Sequence, residues 1–84
     1  MYICFHKNAF EDYTYFQKND KKTAEKINKL LKHISKEPFS GIGKPEPLKH
    51  NLSGFWSRRI SNEHRLVYAI KNDGVYVLQC RYHY

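Results

Sequence analysis

Glu46 stands between Pro45 and Pro47, and the sequence closes on Arg81-Tyr82-His83-Tyr84. A positioned carboxylate and an imidazole are a usable base and acid near neutral pH. Arg59 and Arg65 add planar forks of donors that match phosphate oxygens, and Lys49 adds a further cation. One reaction that needs this set is the cutting of RNA by its own 2′-hydroxyl, which attacks the adjacent phosphorus in line. A base takes the 2′ proton, an acid protonates the departing 5′ oxygen, and cations hold the charge that builds on phosphorus. Glu46 is the candidate base, His83 the candidate acid and Arg65 the candidate phosphate ligand. Lys49 and Arg59 suit the RNA backbone, and Tyr84 suits a phosphate or the face of a base.

The elements that must position these residues are legible from pattern. Tyr2–His6 is a short apolar run with strand character. Asn8 is a candidate cap for a helix reaching about Asn19, with Phe10, Tyr13 and Phe16 or Gln17 at helical spacing. Asp20 is a candidate cap for a second helix. Its stripe is Ala24, Ile27, Leu30, Leu31 and Ile34, its outer face is Lys22, Lys26, Lys29, Lys32 and Lys36, and Pro38 ends it. Residues 39–51 are irregular and carry Gly41, Gly43, Pro45 and Pro47. Proline fixes its own φ and biases its predecessor towards extended backbone, so Glu46 is constrained from both sides. Strands follow at Phe55–Ile60, Arg65–Ile70 and Val75–Tyr82, the last after the turn Asn72-Asp73-Gly74. The expected fold is α+β over one domain, residues 1–84. Two helices from the N-terminal half pack on an antiparallel sheet in the order β-α-α-β-β-β. In such a meander the end of the first strand, the start of the second and the end of the third meet at one end of the sheet. Arg59, Arg65 and His83 then converge.

Taken singly, each of these residues has a plainer reading. An arginine on a strand is most often on a solvated face, His33 near a helix end answers the helix dipole, and His6 and His64 are ordinary strand-end residues. Trp56 reads as core or interface, and the helix-two lysines as a solvated face. His50 is a further candidate for RNA contact by location. It is the convergence of cations beside a braced carboxylate that favours a phosphate site.

Composition sets outer bounds. Fifteen Lys and Arg against eight Asp and Glu leave a net charge of +7, which attracts polyanions and makes their binding salt-sensitive. Cys4 and Cys80 lie in apolar runs and read as small buried hydrophobes rather than a disulfide framework. With no signal-peptide pattern and no apolar run near the roughly 18 residues of a membrane span, a reduced, cytoplasmic protein is expected. The histidines and cysteines show no ligand spacing, so neither a metal nor another cofactor is expected. Charge alone also allows a non-catalytic module that binds nucleic acid or an acidic partner and acts by occupancy.

Three segments carry a more specific signal: the run Gly43-Lys44-Pro45-Glu46-Pro47-Leu48-Lys49-His50-Asn51-Leu52-Ser53-Gly54-Phe55-Trp56-Ser57-Arg58-Arg59-Ile60, then Glu63-His64-Arg65-Leu66-Val67-Tyr68, and the ending Cys80-Arg81-Tyr82-His83-Tyr84. In order and spacing the chain closely resembles the YoeB (Txe-type) toxins of the RelE/ParE superfamily. The resemblance implies a RelE-like fold and a bacterial toxin that cleaves mRNA in the ribosomal A site. It implies a YefM/Axe-type antitoxin partner, operator DNA bound through the toxin–antitoxin complex, and a homodimer. It places the family's catalytic glutamate at Glu46, its transition-state arginine at Arg65, its closing His-Tyr pair at His83 and Tyr84, and its supporting basic residues at Lys49 and Arg59. Phe5 and Phe10 stand where the family commonly has tryptophan. ParE-like relatives that attack gyrase share the fold but lack the Glu/His/Tyr set.

Overall fold

Asp20 both ends one helix and starts the next. In the computed structural model, which describes residues 1–84, its backbone N–H donates to the Phe16 carbonyl, closing α1 (Lys7–Asn19). Its carboxylate accepts from the Thr23 N–H and hydroxyl, opening α2 (Lys21–Lys36). One residue thus makes the tight turn of an αα-hairpin. The Asp20 carboxyl is held below the usual range by those two Thr23 bonds. At the start of α1 the expected cap is displaced by two residues: His6, not Asn8, is the N-cap, and its Nδ1 accepts the Asn8 N–H at 3.2 Å. An imidazole nitrogen can serve where Ser, Asp or Asn usually does.

The α2 stripe behaves as its spacing dictates: Ala24, Ile27, Leu30, Leu31 and Ile34 are all buried. Each large aliphatic side chain so buried contributes about 1.5–3 kcal/mol. They cover one face of a five-stranded sheet ordered β1-β5-β4-β3-β2. Its strands are β1 (Tyr2–Phe5), β2 (Glu46–Pro47), β3 (Trp56–Arg59), β4 (Arg65–Lys71) and β5 (Gly74–Gln79). The sheet is mixed rather than wholly antiparallel, because β1 pairs parallel with β5 while the other pairs are antiparallel. Residues 46–47 form an edge strand inside the segment expected to be irregular, and His50–Leu52 a 3₁₀ turn. Alternation places Trp56, Arg58, Leu66, Tyr68, Val75 and Val77 towards the helices. Ser57 and Arg59 point the other way.

A bulge resets that alternation late in β5. Val67 pairs with Gln79 and Tyr68 with Val77, so Leu78 has no partner. Beyond it Gln79 lies on the open face of the sheet, and Cys80 turns into the core against α1, its thiol donating to the Ala9 carbonyl at 3.3 Å. Bulges re-aim the side chains that follow them.

The least expected core residue is Arg58, fully buried. Its Nε donates to the Tyr68 hydroxyl (3.0 Å), Nη1 to the Ile42 carbonyl (3.0 Å) and to His33 Nδ1 (3.2 Å), and Nη2 to the carbonyls of Glu37 (2.6 Å) and Ser40 (2.9 Å). The Tyr68 hydroxyl in turn donates to the Pro38 carbonyl at 2.7 Å. Burial pushes the Tyr68 phenol above its ordinary pKa, and Arg58 opposes the shift. Residues 37–42 are thus tied to the sheet through their carbonyls. Gly43 follows at φ 82°, where a Cβ would meet Leu30 Cδ2 at 2.9 Å and Arg58 Cβ at 3.1 Å.

Two outcomes follow from this packing. Arg58→Met takes the donor from the part-buried carbonyls of Glu37, Ser40 and Ile42 and from the buried Tyr68 hydroxyl, at about 1 kcal/mol each, so urea denaturation should show a loss of about 3 kcal/mol or more; a loss under about 1 kcal/mol would mean the tether is dispensable. For Cys80, burial and, less strongly, Asp12 push the thiol from 9.0 up to about 12. A raised pKa favours the protonated folded state, so this contribution is complete below about pH 9 and lost as pH rises towards 12. A thiol reagent at about pH 8 should label the half-buried Cys4 in the folded protein and Cys80 only on unfolding, as read by mass spectrometry. Equal labelling rates would contradict it.

Candidate functional site

The site begins with one face of β3. Ser57 and Arg59 share the sheet face that the helices leave open, and cross-strand pairing sets their neighbours. Glu46 on β2 lies opposite Ser57, and Arg65 on β4 lies opposite Arg59. Partners across a ladder present their side chains to the same face. Glu46, Ser57, Arg59 and Arg65 are therefore gathered by register alone.

Glu46 reaches this position through a stiff approach. After Gly43, Lys44 also has positive φ, 52°, and Pro45 and Pro47 flank the carboxylate. The Gly43 carbonyl accepts the Arg59 N–H at 2.7 Å, and Leu48 N–H donates to the Phe55 carbonyl at 2.9 Å. The segment is thus fastened to β3 on both sides of Glu46.

The closing residues come from the other direction. β5 ends at Gln79, three residues short of the strand expected to reach Tyr82. Tyr82 is in left-handed backbone at φ 62°, an uncommon state for a bulky residue, and the chain bends there. Its N–H donates to His64 Nδ1 at 2.9 Å and its carbonyl accepts from Arg65 N–H at 3.0 Å. His64 is therefore neither exposed nor idle. It is buried, its Nδ1 is an acceptor, and its Nε2 faces Glu63 Oε1 at 3.3 Å. Arg81 folds back on α1, 3.4 Å from Asp12 and stacked 4.5 Å from the Tyr15 ring.

The result is a cleft of about 240 Å³ lined by Lys44, Glu46, Ser57, Arg59, Arg65, His83 and Tyr84. The Tyr84 hydroxyl donates to Glu46 Oε1 at 3.1 Å, leaving Oε2 for another proton. His83 Nε2 lies 3.0 Å from the Asn62 carbonyl; a carbonyl only accepts, so Nε2 carries hydrogen and Nδ1 is left to face a ligand. Arg65 rests on its own turn, with Nη1 donating to the carbonyls of Ser61 (2.7 Å) and His64 (3.1 Å). Nε and Nη2 carry none of that load. Two guanidinium groups directly opposite each other are unfavourable in a bare sheet. With Lys44 beside them, Arg59 and Arg65 make a cation-rich cleft that suits a polyanion. No three His, Cys, Asp or Glu side chains gather in a cluster able to hold a metal ion.

Of the six residues singled out by sequence, five line this cleft: Glu46, Arg59, Arg65, His83 and Tyr84. Lys49 is exposed at the start of the 3₁₀ turn and outside the lining; Lys44 supplies the lysine there. Sequence reasoning passed over Lys44 and Ser57. Ser57 shares the parity of Arg59 on β3, which was signal enough. His64 and Gln79, which fasten the closing residues, gave no such signal, because both act through backbone groups brought near by the fold.

A family model described as "YoeB-like toxin of bacterial type II toxin-antitoxin system" matches residues 5–84. The chain is 55% identical to Toxin YoeB of Escherichia coli (strain K12) over 84 residues, covering all of both chains. Among solved structures, the YoeB/ParE toxin from Agrobacterium tumefaciens superposes with a TM-score of 0.97 at 43% identity, again covering all of both chains. YoeB from a Staphylococcus aureus YoeB–YefM complex superposes with a TM-score of 0.94 at 53% identity, over 100% of this chain and 98% of that one. With the RelE-like arrangement of helices and sheet already described, these agreements over the full length establish the family: the chain belongs to the YoeB-like toxins of bacterial type II toxin–antitoxin systems.

Proposed function

We propose that this toxin is a ribosome-dependent endoribonuclease that cuts mRNA in the ribosomal A site without a metal. The single observation that carries the reading is the cleft in which Glu46, Arg65, His83 and Tyr84 face one ligand-sized space. Glu46 takes the proton of a ribose 2′-hydroxyl, and the 2′ oxygen attacks phosphorus. The bond from phosphorus to the 5′ oxygen breaks, and His83 protonates that oxygen through Nδ1. The products are a 2′,3′-cyclic phosphate and a 5′-hydroxyl. Arg65 takes the developing charge on the non-bridging oxygens. Arg59 and Lys44 hold the flanking backbone, Lys49 adds a cation for RNA outside the lining, and Tyr84 fixes Glu46 through Oε1.

Partners follow from family membership. Staphylococcus aureus YoeB forms a complex with YefM and a dimer. We extend both to this chain: a YefM/Axe-type antitoxin that neutralises the toxin, represses the pair's own promoter with it on operator DNA, and a homodimer of the toxin. The cytoplasm is where the ribosome substrate is met. No helix of the structure is long and apolar enough to cross a membrane.

Glu46→Ala and His83→Ala should each lower cleavage of ribosome-bound mRNA by about 10²–10⁴-fold while the far-ultraviolet dichroism is kept. Mapping of the cut ends should give 5′-hydroxyl termini. Wild-type rates in both folded variants, or 5′-phosphate ends, would refute the mechanism. Growth arrest by Glu46→Gln protein at equal abundance would show a toxin acting by occupancy instead.

The cleft's cations give a second measurement. Binding of single-stranded RNA should weaken linearly with the logarithm of salt concentration, and Arg59→Gln should flatten that slope by about 0.7. An unchanged slope would remove Arg59 from the RNA path.

A further inference from the structure

The nucleophile's base sits on a stiff, doubly braced strand, whereas His83 and Tyr84 lie beyond the last strand and have no ladder to hold them. Their backbone groups are instead taken up one at a time. The Gln79 side-chain amide donates from Nε2 to the Arg81 carbonyl at 2.8 Å and to the His83 carbonyl at 2.9 Å. On the opposite side, His64 Nδ1 accepts the Tyr82 N–H and the Arg65 N–H donates to the Tyr82 carbonyl. The carbonyls of residues 81, 82 and 83 and one N–H between them are thus all engaged by side chains or backbone from elsewhere.

Gln79 is the member of this arrangement that holds the His83 carbonyl. It is able to do so only because of the β5 bulge: with Leu78 unpaired, Gln79 lies opposite Val67 on the open face rather than in the core. An amide nitrogen has two protons and no charge. It can bridge carbonyls two residues apart without adding to the field of the cleft, as a lysine or arginine would. Its contact with the His83 carbonyl fixes the peptide that joins His83 to Tyr84.

We propose that Gln79 is a positioning residue for the ribonuclease reaction, a two-proton clamp that holds the bent 81–83 backbone so that His83 and Tyr84 face Glu46 across the cleft. The inference rests on the ribonuclease reading above. It assigns Gln79 no contact with substrate. Its effect falls on the placement of the leaving-group acid, where misplacement of about 1 Å costs as much as about 100-fold in rate.

The test is Gln79→Met, which keeps the length of the side chain and removes both donors. On ribosome-bound mRNA, kcat should fall about 10- to 100-fold with KM changed by less than about twofold, because the RNA-binding cations are untouched. In a His83→Ala background the same substitution should cost only about threefold or less, since a residue acting through His83 loses its effect when His83 is gone. Amide ¹⁵N order parameters at residues 82–84 should drop from near 0.85 to below about 0.6, with the melting temperature nearly unchanged. A purely structural role for Gln79 predicts the opposite pattern: a lowered melting temperature and equal cost in both backgrounds. That pattern overturns the proposal, as does a Gln79→Met protein that cleaves as fast as wild type or keeps its order parameters. A wild-type protein that cuts no mRNA overturns the ribonuclease reading itself, and this inference with it; an active wild type matched by an equally active variant overturns this inference alone.

Discussion

A buried guanidinium without a carboxylate partner is the interaction on which the rest of this structure depends. Arg58 is satisfied by carbonyls, a phenol and an imidazole, so its charge is spread over dipoles rather than neutralised by one anion. Burying a charge is costly unless its hydrogen bonds are made, and here the segment after α2 makes them. Residues 37–42 have no ladder of their own. Their carbonyls take three of the bonds of a cation that β3 carries into the core, and those bonds tie the segment down. The same segment leads directly into Gly43 and the proline-braced Glu46. The position of the site carboxylate is thus a consequence of how a core arginine is solvated.

The two walls of the cleft are built on different physics. Glu46 is held by conformational restriction: fixed proline dihedrals, a glycine packed too closely for a Cβ, and two backbone hydrogen bonds, to Arg59 of β3 and to Phe55 just before it. His83 and Tyr84 are held by capture of single backbone groups after a bulge and a left-handed turn. Strained backbone at a bulky residue persists only where surrounding contacts over-determine it, and at Tyr82 His64 and Arg65 supply those contacts. The hydroxyl of Tyr84 on Glu46 then joins the walls.

Much of this was legible beforehand because it depends on short-range rules. The α2 stripe, the Asp20 cap and the β3–β4–β5 meander follow from periodicity and turn chemistry, and the meeting of Arg59 with Arg65 follows from antiparallel pairing, whereas His83 joins them through the bulge and bend that end β5. The errors share one cause. Residue type points to Asn8 as the cap, yet His6 holds that place and accepts the Asn8 N–H. A composition that stays β-like predicts a strand to Tyr82, yet β5 ends at Gln79 and the bend beyond it is held by Gln79, His64 and Arg65. Arg58 drew no reading of its own, although its place two residues from both Trp56 and Ile60 puts it on the inward face.

The sequence by itself determined the kinds of chemistry present, the helices and strands that carry them, and, through long matching segments, the family. Those properties reside in residue identity and local spacing, which the chain carries whether folded or not. Tertiary structure alone decided that Lys44 rather than Lys49 lines the cleft, that His64 and Gln79 hold the closing residues, and that an arginine lies in the core. Each of these depends on a backbone group or an unpaired dipole brought close from a distant part of the chain, and a backbone carbonyl leaves no mark in the sequence of the side chain that will bind it.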